Sequence, residues 1–221
     1  MKIKLLFYFT FLTLFISPYS GYSQKNEITD TVQLNNLLSE SFRYYSINLD
    51  SSYVYADKAL KLSLKLASLK HISMAKQYLG RYYENKEDFG KSTNYFLEAL
   101  KIEEQRKDEK RIANLYEDLG SIYSDMEKFH KALEYYNNAL TIYEKRKHTL
   151  GIANVLNRIG ILHLSREYCE TRTKEQTVKD IDTAIRYFAK SRQQYESIKN
   201  EKGIASSYEN LGICYIRLKQ P

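Results

Sequence analysis

Residues 111–150 read RIANLYEDLG SIYSDMEKFH KALEYYNNAL TIYEKRKHTL, and this stretch decides the fold. Ile112, Leu115, Tyr116, Leu119, Ile122 and Tyr123 recur at steps of three and four residues, the spacing that gathers apolar side chains on one stripe of an α-helix. The stripe breaks at 124–128 and resumes through Ala132, Tyr135, Tyr136, Ala139, Leu140 and Tyr143. Two amphipathic helices across so short a break predict an antiparallel helix hairpin. Neither helix can bury its stripe alone, so such hairpins must stack on one another.

Gly120, at the centre of this stretch, belongs to a series. Gly80, Gly120 and Gly160 are 40 residues apart, and Gly212 follows after 52, which is 40 plus an insertion of 12 at about 168–179 (YCETRTKEQTVK). Each glycine closes a similar run (MAKQYLG, LYEDLG, VLNRIG, SYENLG), and Tyr83, Tyr123, His163 or Tyr215 follows three residues later. Self-similarity at a period of this length marks a stacked-repeat architecture. The units fall at about 31–70, 71–110, 111–150, 151–202 and 203–221, the last incomplete. The first is degenerate, with Glu40 where the glycine is expected. The last keeps Tyr208, Leu211, Gly212 and Tyr215 but has no second helix, which predicts either a piece of a longer protein, the favoured reading, or an open face that finds a partner.

The pattern resembles the tetratricopeptide repeat, W-x2-L-G-x2-Y followed by A-x3-F. Tyr116, Leu119, Gly120, Tyr123, Ala132 and Tyr136 stand in its places in the quoted unit; Leu79, Gly80, Tyr83, Ser92 and Phe96 stand there in the unit before, and Ile159, Gly160, His163, Ala184 and Phe188 in the unit after. Lys76 departs from the pattern in the Trp place, His163 in the Tyr place and Ser191 in an Ala place. The resemblance implies an all-α, right-handed superhelical solenoid of antiparallel helix hairpins. It also implies a groove lined by the first helices, whose polar residues beside the Leu-Gly pair contact a partner. By place these are Gln77, Arg81, Asn114, Glu117, Asp118, Asn157 and Arg158. Glu117 and Asp118 occupy the middle of that row, which argues against capture of an anionic peptide end and for a basic or mixed segment.

Residues 1–23 read as a cleaved secretory leader: Lys2 and Lys4, then a largely apolar run over 5–16, Pro18, and the small residues Ser20, Gly21 and Ser23. The run is shorter than the ~20 apolar residues that span a membrane. A membrane tether is expected only if the leader stays attached or the chain continues. The expected location is therefore periplasmic or extracellular.

The formal charge of +7 is spread over mixed clusters such as EEQRKDEKR at 103–111 rather than along one stripe, which argues against a nucleic-acid partner. Cys169 and Cys214 are two distant thiols and make no disulfide framework; an unpaired state is expected. The four His (His71, His130, His148, His163) lack metal-ligand spacing, and no phosphate-binding glycine loop or nucleophile elbow occurs. No enzyme activity, metal, cofactor or small-molecule substrate is expected. The sequence predicts a non-catalytic scaffold that binds a protein or peptide. Leader plus repeats resembles the exported sensor portion of Bacteroidetes signalling proteins. The alternative is an exported carbohydrate-binding helical-repeat protein, suggested by 21 Tyr and 9 Phe, although most of these rings fall at core spacing.

Overall fold

A computed structural model describes residues 19–169 and 172–219, with side chains from 29 to 166 and from 172 to 219. Among these residues the chain forms nine α-helices and no strand: α1 (Tyr19–Tyr44), α2 (Leu49–Lys65), α3 (Leu69–Asn85), α4 (Phe89–Arg106), α5 (Glu109–Asp125), α6 (Phe129–Lys145), α7 (Thr149–Cys169), α8 (Lys174–Ser197) and α9 (Glu201–Leu218). Each helix packs on its sequence neighbours, and the odd-numbered helices also meet one another across hairpins (α1 with α3, α5 with α7, α7 with α9). That places the odd helices on the inner side of a helical-repeat solenoid and α2, α4, α6 and α8 on its outer side.

One kind of turn, repeated, drives the zigzag. Ala67, Glu87, Lys107, Glu127, Lys147 and Lys199 have left-handed backbone, with φ between 51° and 58°. In each case the residue after it sends its N–H back to the last helical turn, as in Asp88 N–H to Tyr83 O (2.9 Å) and Lys128 N–H to Tyr123 O (2.8 Å). This is the Schellman closure of a helix C-terminus. In four of the six turns that same residue caps the next helix through its side chain: Asp88 accepts from Lys91 N–H, Asp108 from Arg111, His148 from Gly151 and Asn200 from Gly203. Stop and start signals therefore share about three residues, and consecutive helices have no choice but to lie antiparallel.

Inside each hairpin a ring lies over a glycine. A Cβ added to Gly80 would approach Phe96 to 2.9 Å, one on Gly120 would approach Tyr136 to 2.5 Å, and one on Gly160 would approach Phe188 to 2.6 Å. The small residue four positions before each ring (Ser92, Ala132, Ala184) is fully buried, and Ser92 Oγ donates to Gly80 O at 2.9 Å. A second layer of rings flanks the first. Tyr83 stacks on Tyr95 at 5.6 Å, Tyr123 on Tyr135 at 5.2 Å and His163 on Tyr187 at 5.8 Å. His163 is thus a packed ring.

The first hairpin replaces this lock. α1 ends 41 residues before α3, whereas α2 begins 40 before α4, so the register set by Glu40 does not carry through the turn. Ala56 stands where Phe96 stands one unit on, and the buried Ser41 and Ser52 exchange hydroxyl-to-carbonyl hydrogen bonds of 3.0 and 2.8 Å instead.

Of the 12 extra residues, 168–169 extend α7 and 174–179 begin α8. α7 continues to Cys169 and α8 starts at Lys174, so the two helices of this hairpin lengthen together. Thr173 and Gln176 close a capping box that starts α8 early. At the base of the extension the buried Asp180 carboxylate gathers Arg172 (3.0 Å), Arg166 (3.8 Å) and His163 (3.6 Å). Cys214 is a buried free thiol, while the Cys169 side chain lies outside the described residues. Most of the expected leader, residues 1–18, also lies outside them. α1 takes in residues 19–23, and the first buried side chain among its described ones, from 29 onward, is Leu34, so cleavage near Ser23 leaves the described core intact.

Candidate partner-binding groove

The concave side is built from one stripe on each odd helix. Gln77, Arg81 and Glu84 lie at i, i+4 and i+7 on α3; Asn114, Glu117, Asp118, Ser121 and Asp125 follow on α5; Asn154, Asn157 and Arg158 follow on α7. The apolar side chains between them face the neighbouring helices: Leu79, Leu115, Leu119, Val155 and Ile159 are at most 1 % exposed. Burial of that face leaves the polar stripe pointing inward along the curve.

The seven residues expected to contact a partner are brought together, and they bond to one another or to close neighbours. Gln77 Nε2 donates to Asp118 Oδ2 at 2.5 Å, and Arg81 reaches Asp118 Oδ1 at 3.2 Å. One step along, Arg158 Nε donates to Glu117 Oε1 at 2.9 Å. Further on, Asn210 donates to Asn157 Oδ1 at 3.0 Å. Asn114 is held from the outer side, where it accepts from the Tyr143 hydroxyl at 2.7 Å while Glu117 accepts from the same hydroxyl at 3.2 Å. The bonds between inner helices join residues 37 to 53 apart in sequence and form a polar ladder from hairpin to hairpin.

The ladder corrects one expectation. Glu117 and Asp118 are not a bare acidic centre, because each carries an arginine from the adjacent hairpin. Partial desolvation opposes the charge of Arg158, yet Glu117 raises its guanidinium above the ordinary value; Asp118 does the same for Arg81. Repulsion of an anionic end by these two acids is therefore largely cancelled.

The acid that does stand open is one the sequence reading passed over. The carboxyl of Glu84, half-buried one turn beyond Arg81, has no hydrogen bond or ion pair among the described residues. Burial, reinforced by Asp118 and Asp125, pushes its carboxyl up to about 7, against the pull of Arg81 and Arg158. Burial also raises the Asp125 carboxyl. Two carboxyls held above their usual range, facing a groove, are poised to accept a cation. Their signal in sequence was the stripe itself, since Glu84 continues the spacing of Gln77 and Arg81.

Residues 111–168, and separately 75–106, match models of the tetratricopeptide repeat. Both segments are thus similar to tetratricopeptide repeats. Sequence comparison with curated proteins finds no match. Among solved structures, BtubC (BKLC) from P. vanneervenii superposes with a TM-score of 0.58 over 91% of this chain and 88% of its own, at 14% identity. The apo form of RapI gives 0.67 over 88% and 69%, at 19% identity. A candidate kinesin light chain of Podospora anserina, with nearly identical TPR-like repeats, gives 0.56 over 85% and 97%, at 9% identity. At these identities the likeness is one of fold.

A second set of repeat positions escaped the sequence reading. Where one hairpin meets the next, the last turn of an outer helix faces the first turn of the following inner helix. The pairs are Ser63 with His71, Glu103 with Arg111, Tyr143 with Gly151 and Tyr195 with Gly203. A Cβ on Gly151 would lie 2.7 Å from the Tyr143 ring, and one on Gly203 would lie 2.3 Å from Tyr195. Glu103 is wholly buried between Arg106 and Arg111, with Arg111 Nε at 3.1 Å. The tyrosines reach through to the groove, where Tyr143 holds Asn114 and Tyr195 holds Asn154 at 2.8 Å. The junctions thus position groove residues from behind. Gly151 and Gly203 are themselves 52 residues apart, so the spacing that located Gly212 also marked them.

Proposed function

We propose that the repeats form a non-catalytic scaffold that binds a protein or peptide segment along the concave groove, with a Lys or Arg of that segment seated at Glu84 and Asp125. The observation that carries this reading is the contrast within the groove. Every one of the seven expected contact residues has a hydrogen-bonding partner, while Glu84 and Asp125 are raised carboxyls with none among the described residues. A cation placed there returns Glu84 to its ionised form, so binding near pH 7 releases protons.

Panning a random peptide library against the protein and against the double variant Glu84→Gln/Asp125→Asn tests it. Selected peptides should be rich in Lys and Arg for the parent and lose that bias for the variant. Equal composition from both overturns the reading. The leader-like residues 1–23 support placing this scaffold outside the cytoplasm, as the interaction part of a bacterial signalling protein. N-terminal sequencing of the protein from its native host should then begin near Gln24, and an intact Met1 refutes export by cleavage.

A further inference from the structure

The inner helices repeat one contact along the groove, and its first member is apolar. Arg81 on α3 reaches Asp118 on α5 at 3.2 Å, and Ser121 on α5 accepts from Arg158 on α7 at 3.5 Å. One hairpin earlier, Phe42 on α1 meets Tyr78 on α3, with ring centroids 6.5 Å apart. Two features fix the equivalence of these places. Ser52 Oγ donates to Ser41 O at 2.8 Å as Ser92 Oγ donates to Gly80 O at 2.9 Å, so Ser41 stands for Gly80. Tyr44 stacks on Tyr55 at 5.4 Å as Tyr83 stacks on Tyr95 at 5.6 Å. Phe42, next to Ser41, therefore holds the groove place that Arg81 holds next to Gly80.

This ring is exposed as no other described phenylalanine is. Phe42 is 63% exposed, whereas Phe89 is half-buried and Phe96, Phe129 and Phe188 are buried. Neighbouring repeats do not cover the place it occupies. Arg81 and Ser121 have hairpins stacked on both sides and still reach the concave surface. Stacking uses other faces of the inner helices, and the one neighbour that this row meets, Tyr78 in the case of Phe42, is already in position.

The open acid lies beside the ring pair. Tyr45, three residues after Phe42, accepts from Asn85 Nδ2 at 2.5 Å, next to Glu84. Burial raises the Tyr45 phenol against the pull of that hydrogen bond, and the Glu84 charge adds to the rise. Glu84 itself is one turn beyond Arg81, the counterpart of Phe42 on the adjoining inner helix. With packed helices ~8–10 Å apart and a helical turn rising ~5 Å, Phe42 and Glu84 stand roughly 10 Å apart. An extended chain covers ~3.3 Å per residue, so about three residues span that gap.

We infer that the groove selects a partner segment in which an apolar side chain, aromatic for preference, lies about three residues from the Lys or Arg, the apolar group seated on Phe42 and Tyr78. This rests on the proposed seating of a cation at Glu84 and Asp125, and adds a second anchor to it. The acids alone would accept any cation. The ring pair separates basic-apolar segments from merely basic ones, because burying Phe42 removes apolar surface from water and a ring laid on it gains an aromatic pairing as well.

Random peptide libraries panned at neutral pH against the full chain, Phe42→Ser and Glu84→Gln/Asp125→Asn test this. Parent pools should pair Lys or Arg with an apolar or aromatic residue at one recurrent spacing of about two to four residues. Phe42→Ser should lose the apolar residue and keep the Lys and Arg. A selected peptide carrying both, labelled with fluorescein and followed by anisotropy, should bind Phe42→Ser about tenfold or more weakly than the parent. That variant should melt at the parent temperature, because the replaced side chain lies mostly outside the core. Parent pools rich in Lys and Arg, with the same apolar content for Phe42→Ser, would overturn this inference and leave the cation site standing. A segment of this chain already lying over Phe42 would give that same result. Parent pools with no Lys or Arg bias would overturn the cation site, and this inference with it.

Discussion

Exchanging one hairpin junction for another is the most demanding test of the packing described here. The Glu103–Arg111 junction and the Tyr143–Gly151 junction occupy the same place in successive units, so the double variant Glu103→Tyr/Arg111→Gly should convert the first into the second. Taken singly, both changes damage the core. Arg111→Gly strips one of two cations from a wholly buried carboxylate, costing about 2–3 kcal/mol, and adds about 1 kcal/mol for glycine in a helix. Glu103→Tyr drives a ring against the Arg111 side chain at about 1–3 kcal/mol and leaves a guanidinium without its acid at about 1–3 kcal/mol more. Independent effects would sum to roughly 5–10 kcal/mol. In the double variant the ring lies over the glycine as Tyr143 and Tyr195 do, and Arg106 swings to Asp108, already 3.9 Å away. Burial of the ring offsets most of the loss, leaving a net cost of about 1 kcal/mol. Urea unfolding of the four chains, followed by far-UV circular dichroism, gives the coupling energy directly. It should exceed about 3 kcal/mol. A coupling below about 1 kcal/mol would refute the claim that these two positions form one interchangeable lock.

Glycine-to-alanine changes at two marks of the same ruler should act in opposite directions. Gly120→Ala forces the Tyr136 ring aside and should cost about 1–3 kcal/mol, whereas Gly212→Ala meets no neighbour and should gain up to about 1 kcal/mol of helix propensity; thermal melts of the same sign would count against the ring-over-glycine account. Glu84→Gln should leave stability unchanged at pH 4 to 5 and raise it above pH 7. A carboxyl whose folded pKa lies above its unfolded value weakens the fold as pH climbs from the unfolded value to about 7, and the amide removes that loss. A melting difference that does not grow with pH between 5 and 8 speaks against the raised Glu84. Lys147→Gly relieves a left-handed residue at φ 53° and should stabilise by about 0.5–1 kcal/mol in urea titration; a loss would mean that the Lys147 side chain makes contacts that outweigh the backbone term.

What could be read in advance follows from how each feature is encoded. A glycine beneath a ring is a requirement on residue identity, so Gly80, Gly120 and Gly160 announce the hairpins at a fixed spacing. The turns are encoded by geometry instead. Left-handed backbone at Ala67, Glu87, Lys107, Glu127, Lys147 and Lys199 involves no glycine, and those residues look like ordinary surface positions. The insertion showed its length but not its form, although Thr173 and Gln176 spell a capping box that would have pointed to an early start for α8. In the groove, place in the repeat located Gln77, Arg81, Asn114, Glu117, Asp118, Asn157 and Arg158. Their charges were misjudged because Asp118 and Glu117 were weighed without Arg81 and Arg158, which reach them from other hairpins. Pairing at such separations depends on the curvature of the stack, which no local pattern states.

The contrast between hairpin interiors and hairpin junctions explains how so repetitive a chain stacks in one order. The interiors at Gly80, Gly120 and Gly160 are nearly alike, so on their own they could not tell one hairpin from the next. The junctions are of three kinds: Ser63 stands in the place opposite His71, Glu103 meets Arg111, and Tyr143 and Tyr195 lie over Gly151 and Gly203. Stacking the second hairpin's exit directly on the fourth hairpin would bury Glu103 opposite Gly151 with one of its cations gone. A buried carboxylate stripped of a partner costs several kcal/mol, comparable to much of a domain's net stability. Wrong orders are thus excluded by penalties at the junctions rather than by better contacts in the right one, as in other interfaces that achieve specificity by disfavouring the alternatives. The two junctions nearest α9 are both Tyr over Gly and would tolerate exchange, but there the lengthened α7 and α8 and the Asp180 cluster mark the fourth hairpin as distinct.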